Sequence, residues 1–414
     1  MKSKVTTHLL LRGWNRILAL IKNYPKTMNM FTKIFRPSMA FVAMASILIG
    51  TIVVSCSEDD DDESDIEGTT LVSNLDTPWE LVFAPDGRLF FTERPGSIEV
   101  VEKGQRKLWL GLDSVVQEVG ESGLLGLALD PDFSNNRYVY FGYTYAESKG
   151  PLKLVNKLVR YKEDAATKKG VFDKVLLDGI EGNYIHNSGA LEFGPDGTLY
   201  WGMGERYEPA LAQDLSDLGG KILRLTRDGD IPEDNPFPGS YVFSYGHRNP
   251  QGLAFQPGTG DLWSTEHGPS DEQGCCQDEI NRVLPGRNYG WPLIRGSQQQ
   301  AGMETPAYYS GDTTTWAPTG GIFIEQGEWK DSFVFTGLRG QALYRAIFDP
   351  NDPSKITSVE RYLYQELGRL RNVVEGPDGK LYIAISNQDG RGNPLSIDDR
   401  IVVYSQSELK DELN

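Results

Sequence analysis

Five segments of the chain repeat one short pattern, and their spacing leaves few folds open. They are Phe83–Glu93 (FAPDGRLFFTE), Leu129–Tyr143 (LDPDFSNNRYVYFGY), Phe193–Glu205 (FGPDGTLYWGMGE), Phe255–Glu266 (FQPGTGDLWSTE) and Glu375–Ser386 (EGPDGKLYIAIS). Each leads into a Pro-Asp-Gly-type turn and leaves it on alternating apolar residues. Pro presets φ, Asp caps the turn through its side chain, and Gly takes the positive φ. The alternation that follows predicts a half-buried strand. The turn prolines fall at 85, 131, 195, 257 and 377, and the last gap is twice the others. Ile322–Gly337 (IFIEQGEWKDSFVFTG) fills that gap as a degenerate copy.

Six units over residues 68–414 average about 58 residues each, a little above the ~40–50 of a four-stranded propeller repeat. The expected fold is therefore all-β, a six-bladed β-propeller of four-stranded antiparallel blades around an axial funnel. A β-sandwich has no use for the recurring turn. Long loops absorb the extra length, and loops are where sites sit. The propeller is expected over 69–406, with a frayed polar tail at 407–414. Lys162–Val171 reads as a charged hairpin tip, Asp228–Gly239 as a Pro-rich crossing between blades, and Gln298–Met303 as an exposed loop.

A net charge of -17 argues against a nucleic-acid partner, since phosphate binding needs a basic surface. That charge is unevenly spread. Residues 1–55 hold eight Lys/Arg and no acid, whereas 57–67 hold eight acids and no base. A break this sharp marks a processing boundary. Phe41–Val54 is an apolar run of 14 residues behind Lys33 and Arg36. It is short of the ~20 residues of a membrane span and fits a signal-peptide core. It ends at Val53-Val54-Ser55-Cys56, which resembles a bacterial lipobox. The resemblance implies cleavage before Cys56, lipidation of its thiol and a start at Met28 or Met30. Residues 1–55 are then a lipoprotein signal region and 56–68 an acidic tether. The expected location is the periplasm-facing outer membrane or the cell surface of a bacterium.

The residues that carry chemistry concentrate in Ser244–Pro292 and in a few positions outside it. His186, in GNYIHNSGALEFGPDG, stands at the entrance of an inner strand beside Asn187, where an imidazole can act as a general base near neutral pH. The alternative is a structural His tied into its loop. His247-Arg248-Asn249-Pro250 offers a planar guanidinium fork and an amide, suited to an anionic, carbonyl-rich ligand or to locking a loop. Gly268-Pro269 with Asp271, Glu272, Asp278, Glu279 and Tyr289 suggests a site for a hard cation, although the spacing is not that of an EF-hand. Cys275 and Cys276 are adjacent, and the expectation is a vicinal disulfide. His267 alone does not complete a zinc site with them. Arg339, Arg369 and Arg371 each precede a repeat strand and are positioned either to hold an anion or to face solvent.

With these residues in place, the chain resembles the glucose/sorbosone dehydrogenase family, the soluble aldose dehydrogenases that use pyrroloquinoline quinone (PQQ) and Ca²⁺ on a six-bladed propeller. The resemblance rests on ESGLLGLALDPDF (121–133), HNSGALEFGPDG (186–197), GGKILRL (219–225), GHRNPQGLAF (246–255), EHGP…DEIN (266–281) and NYGWP (288–292), in family order over residues ~70–405. It implies His186 as the base taking the proton of an aldose anomeric hydroxyl, hydride transfer from C1 to PQQ and a lactone product. It implies Arg248 and Asn249 on the quinone oxygens, and Glu121 and Asn187 beside the cofactor. Arg339, Arg369 and Arg371 would pair the PQQ carboxylates. The backbone carbonyls of Gly268 and Pro269 would hold Ca²⁺, with Asp278 and Tyr289 supporting that loop. A downstream quinone or cytochrome would accept the electrons. The chain departs from the family pattern at Glu121 (usually Gln), Glu205 (usually Asp), Arg339 (usually Lys), Asn387 (an Asp expected) and the inserted Cys pair. Two other functions use the same architecture. A Ca²⁺-dependent lactonase needs acidic side chains at the funnel centre, and a propeller that only binds glycans or proteins needs no base.

Overall fold

The computed structural model describes residues 68–147, 152–270 and 274–409. The signal region, Cys56 and nearly all of the acidic tether lie outside them, as do Asp271 and Glu272. Among the described residues the strands form six sheets of four antiparallel strands. Blade 1 runs from Pro78–Phe83 to Gln105–Gly111, blade 2 from Leu124–Leu129 to Gly170–Glu181, and blade 3 from Leu191–Phe193 to Val242–Tyr245. Blade 4 runs from Pro250–Phe255 to Tyr308–Tyr309 and blade 5 from Pro318–Phe323 to Asp352–Tyr362. Blade 6 takes Leu370–Glu375, Leu381–Ile385 and Arg400–Tyr404 from the end of the chain, and its outermost strand, Thr69–Val72, from the beginning. The first strands of successive blades touch in a ring that closes from blade 6 back to blade 1. This is a six-bladed β-propeller.

Its core is divided among the contacts between blades. Phe90 and Trp109 of blade 1 pack with Phe133 and Phe141 of blade 2. Tyr140 and Leu158 of blade 2 meet Trp201 and Leu223 of blade 3. Trp263 of blade 4 meets Phe333 and Phe335 of blade 5. The strand after each Pro-Asp-Gly turn is the second of its blade, and it is not half-buried as its alternation suggested. Leu89–Glu93, Leu199–Met203 and Leu262–Glu266 are buried at every position. Neighbouring blades cover both faces of these strands, so their alternation is one of size rather than of exposure.

Two further expectations are corrected. Asp228–Gly239 joins Lys221–Leu225 to Val242–Tyr245 inside blade 3 and is not a crossing between blades. The polar tail does not begin at Ser407, because Gln406–Glu408 form a 3₁₀ turn closed by a Ser405–Glu408 capping box, and Leu409 packs on the core.

Antiparallel pairing sorts the loops. Turns from strand 1 to strand 2 emerge at one end of the propeller. Loops from strand 2 to strand 3, and from each blade to the next, emerge at the other. The Pro-Asp-Gly turns all belong to the first end, and the candidate site residues other than Tyr289, which lies between the third and fourth strands of blade 4, belong to the second.

Candidate active site

A cavity of about 570 Å³ opens at the second end. Its wall includes Glu121, His186, Arg248, Gly268, Pro269, Asp278, Arg339 and Arg369, drawn from loops of five blades. A recess of about 140 Å³ adjoins it, lined by Trp79, Arg94, Gln251, Arg371 and Asp389. Glu121, His267, Leu338 and Arg391 border both.

His186 is the best-positioned base. Its Nδ1 lies 3.0 Å from Oε2 of Glu205, a carboxylate with no solvent exposure. With the Nδ1–H donating to that carboxylate, the Nε2 lone pair is left as the basic atom of the ring. The chain around the ring is unusual. His186 has φ 55° and Ser188 φ 55°, the left-handed region that non-Gly residues seldom enter. The His186 N–H donates to Glu121 Oε2 at 3.1 Å. Gly204 has to be glycine, since a Cβ there would sit 2.2 Å from the His186 carbonyl oxygen.

Glu121 is held from two sides. Its other oxygen accepts Arg391 Nη1 at 2.6 Å. Burial alone would raise this carboxyl, but Arg391 and His186 outweigh it and hold it at about 2. The Glu121 carboxylate is therefore ionised and neutralised by a guanidinium from blade 6.

The arginines differ more than their sequence context suggested. Arg248 is 3 % exposed; its guanidinium lies over the Trp291 ring, and its N–H donates to Glu266. Arg369 already pairs with Asp389, through Nε at 2.8 Å and Nη2 at 2.6 Å. Arg371 donates to Gln251 at 2.7 Å and has no carboxylate partner among the described residues. Burial pushes it down to about 9, and the nearby charges of Arg369 and Arg94 add to that against the opposing Asp389. Arg339 stands exposed at the mouth, also without a carboxylate partner among the described residues.

Asn249 is fully buried, its two amide atoms have no partner among the described residues, and it follows Arg248 in the chain without lining the cavity or the recess. Asn187, expected beside the cofactor, is instead a loop lock. Its oxygen accepts Asn156 and the Asn183 N–H, its nitrogen donates to the Asn183 carbonyl, and it does not line the cavity.

On the cation side, Asp278 ties two blades together. One oxygen accepts the Gly268 N–H at 2.8 Å, and the other accepts Thr315 Oγ1 and the N–H groups of Trp316 and Ala317. Gly268 has no room for a side chain, as a Cβ would lie 2.0 Å from the Cys276 carbonyl. Cys275 and Cys276 form the expected vicinal disulfide. Tyr289 does not reach this loop. Its ring stacks on His247 at 4.7 Å, and its hydroxyl donates to the Arg282 carbonyl and accepts the Leu284 N–H. Among the described residues no three His, Cys, Asp or Glu side chains cluster as a metal site. A cation here would rest on backbone carbonyls and water, a donor set suited to Ca²⁺.

Several residues at the site carried no role in the sequence reading. His267 borders both cavities, Arg391 clamps Glu121, and Arg94 and Trp79 line the recess. Tyr184 and Tyr207 flank His186 with their rings half exposed. A second buried pair, His247 with Glu266 at 2.8 Å, repeats the His186–Glu205 pair at the same 19-residue separation. His247 is sealed inside, its Nε2 against Ser244.

The family model for glucose/sorbosone dehydrogenase matches residues 75–397. The chain belongs to the glucose/sorbosone dehydrogenase family. It is 31% identical over 350 residues to aldose sugar dehydrogenase YliI of Escherichia coli K12, covering 77% of this chain and 90% of that one. It is 36% identical over 269 residues to quinoprotein glucose dehydrogenase B of Acinetobacter calcoaceticus, a match that spans 58% of this chain and 55% of the relative's length. Among solved structures, the PQQ-bound aldose sugar dehydrogenase of Streptomyces coelicolor superposes with a TM-score of 0.72 at 36% identity, covering 83% of this chain and 97% of that one.

Proposed function

We propose that this family member is a PQQ- and Ca²⁺-dependent dehydrogenase that oxidises aldose sugars at C1 to lactones. The observation that carries the reading is the His186–Glu205 pair, which faces the same cavity as Arg248, Arg339 and Arg369. The residues present fit the cofactor. Arg371 and Arg339 lack carboxylate partners among the described residues, residues 267–270 border the cavity, and Asn249, next in sequence to the wall residue Arg248, has two amide atoms with no partner among the described residues. When bound, the quinone supplies a two-electron hydride acceptor.

The protein's part is proton management and placement. His186 Nε2 takes the proton of the anomeric hydroxyl, so that C1 can release its hydrogen with the electron pair and become the lactone carbonyl carbon. Glu205 stabilises the imidazolium that forms, as a carboxylate behind a catalytic histidine does. Arg248 and Asn249 would stabilise the charge that develops on the quinone oxygens. Arg339 and Arg371 would take cofactor carboxylates, with Arg369 sharing its charge between Asp389 and the ligand. Gly268 and Pro269 would hold Ca²⁺ through their carbonyls, with Asp278 fixing the loop. Tyr184 and Tyr207 supply apolar ring faces beside the base, which suits the C–H face of a sugar.

The reading also includes a lipid tether at Cys56 and an envelope quinone or cytochrome as electron acceptor. Its test is reconstitution of the purified protein with PQQ and Ca²⁺, followed by dye reduction with a panel of aldoses. Turnover that requires both cofactors supports it. No retained quinone absorbance and no turnover with any aldose overturns it.

A further inference from the structure

The cavity and the recess meet at a residue that the proposed chemistry does not use. His267 borders both spaces. Its backbone is fixed by its own N–H, which donates to the Asn249 carbonyl at 3.3 Å, and by its carbonyl, which accepts Arg248 Nη1 at 3.5 Å. Its backbone is therefore tied to the two residues expected to meet the quinone oxygens. The Nε2 atom is buried and meets no hydrogen-bond partner among the described residues. Buried polar atoms in folded proteins are nearly always bonded, so an orphan of this kind calls for a partner from outside the chain.

His267 is not alone in this. In the recess, Arg371 Nε, from blade 6, is also buried and without a hydrogen-bond partner among the described residues. A ligand confined to the larger cavity would leave Arg371 unserved. One confined to the recess would leave Arg339 unserved and lie apart from His186. A flat, multiply anionic ligand that serves both ends has to cross the boundary at His267.

We propose that His267 is a cofactor-binding residue, its buried Nε2 hydrogen-bonding a polar edge atom of the bound quinone where the ligand passes from the cavity into the recess. The assignment rests on the PQQ reading above and adds to it a hydrogen bond at the boundary between the cavity and the recess. An imidazole at this boundary contributes direction and no net attraction for carboxylates. It selects a quinone that carries an acceptor or donor at that edge over other polyanions of similar charge.

The experiment is a PQQ titration of the Ca²⁺-supplemented protein, followed by quinone absorbance and by quenching of tryptophan fluorescence, with Trp79 lining the recess. Wild type is compared with His267→Leu and His267→Gln. Leu removes the polar atom and Gln restores one at similar reach. The expected result is a PQQ Kd raised about tenfold or more in His267→Leu, within about threefold of wild type in His267→Gln, and equal thermal midpoints without PQQ. His267→Leu binding PQQ within about twofold of wild type overturns the assignment and leaves the proposed function standing. Wild type that takes up no PQQ overturns the function itself. If His267→Leu fails to fold, histidine-selective ¹⁵N NMR of wild type decides. The His267 Nε2 resonance moves on PQQ addition if the contact exists, and an unmoved resonance rejects it.

Discussion

His186 occupies a conformation that its own backbone disfavours, at φ 55°, and a residue held in that region costs of order 1–3 kcal/mol. Three neighbours over-determine it: Glu121 takes its N–H, Glu205 takes its Nδ1, and Gly204 clears space against its carbonyl. Replacing the ring should therefore remove chemistry while leaving the cradle. His186→Ala is expected to lower kcat by roughly 10²–10⁴, with PQQ affinity changed by less than about threefold; stopped-flow reduction of the bound quinone separates the two. Glu205→Gln leaves a neutral partner behind the ring and should cost about tenfold or more in kcat at unchanged PQQ affinity, which steady-state kinetics beside the same titration would check. The twin pair provides a control. His247→Ala removes a ring packed between Ser244, Glu266 and Tyr289, and it should lower stability by about 2–4 kcal/mol, measured by urea unfolding. The repeated 19-residue His-to-Glu spacing was present in the sequence as a signal for both pairs. Nothing in it tells which histidine opens to the cavity, because that depends on how far each blade's loops stand from the axis.

The element that decides cation binding is the wall from His267 to Asp278. Asp278 gathers one N–H from Gly268 and three donors from residues 315–317, so blade 5 holds the loop of blade 4 in place. Cys276 and Gln277 press on Gly268 so closely that a methyl group there meets backbone, which cannot rotate away. Gly268→Ala should displace the loop, and the expected outcome is a loss of about tenfold or more in PQQ affinity in the presence of Ca²⁺. In wild type, chelation with EGTA should release PQQ and abolish turnover, and added Ca²⁺ should restore both. Retention of PQQ at full affinity after exhaustive chelation would remove the cation from the proposal. The contrast between Asp278 and Tyr289 shows where sequence reading ends at this scale. Both lie in the same motif-rich stretch, yet the carboxylate turns toward the loop while the phenol turns back onto His247. Asn187 misled for a related reason: it neighbours His186 in sequence, but the two φ-positive residues around it rotate its amide into its own loop.

At the scale of the whole molecule, the Pro-Asp-Gly turns made the six blades legible because each marks the same step, from the first strand of a blade to the second. They lie at the end of the propeller opposite the site, so the feature that reveals the fold is silent about the chemistry. Around the axis the turn end opens into another cavity of about 430 Å³, bordered by first-strand residues of all six blades. Four glutamates line it, Glu80, Glu192, Glu325 and Glu375, and burial acts most strongly on the first two. Burial pushes Glu80 up to about 8, with Glu192 raising it further and the Asn372 amide opposing; burial pushes Glu192 up to about 7. Asn372 Nδ2 donates to Glu80 at 2.5 Å, a bond that either a carboxyl or an amide oxygen can accept. The sign follows from proton binding. Between the ordinary value of 4.5 and these raised values, the folded chain keeps protons that the unfolded chain has released. Stability from these groups is then full below pH ~4.5 and is lost as pH rises through ~7 and ~8, by at most about 1.4 kcal/mol per pH unit for each group. Glu80→Gln keeps the acceptor for Asn372 and removes the ionisation. It should leave the thermal midpoint at pH 5 nearly unchanged and raise it at pH 8, flattening the decline between them. Glu192→Gln should act in the same direction and also ease the ionisation of Glu80, since it removes one of the charges that oppose it. Scanning calorimetry of the three proteins at pH 5, 6, 7 and 8 tests this. Parallel pH profiles for wild type and Glu80→Gln would show that the axial carboxyls do not govern the loss of stability between pH 5 and 8.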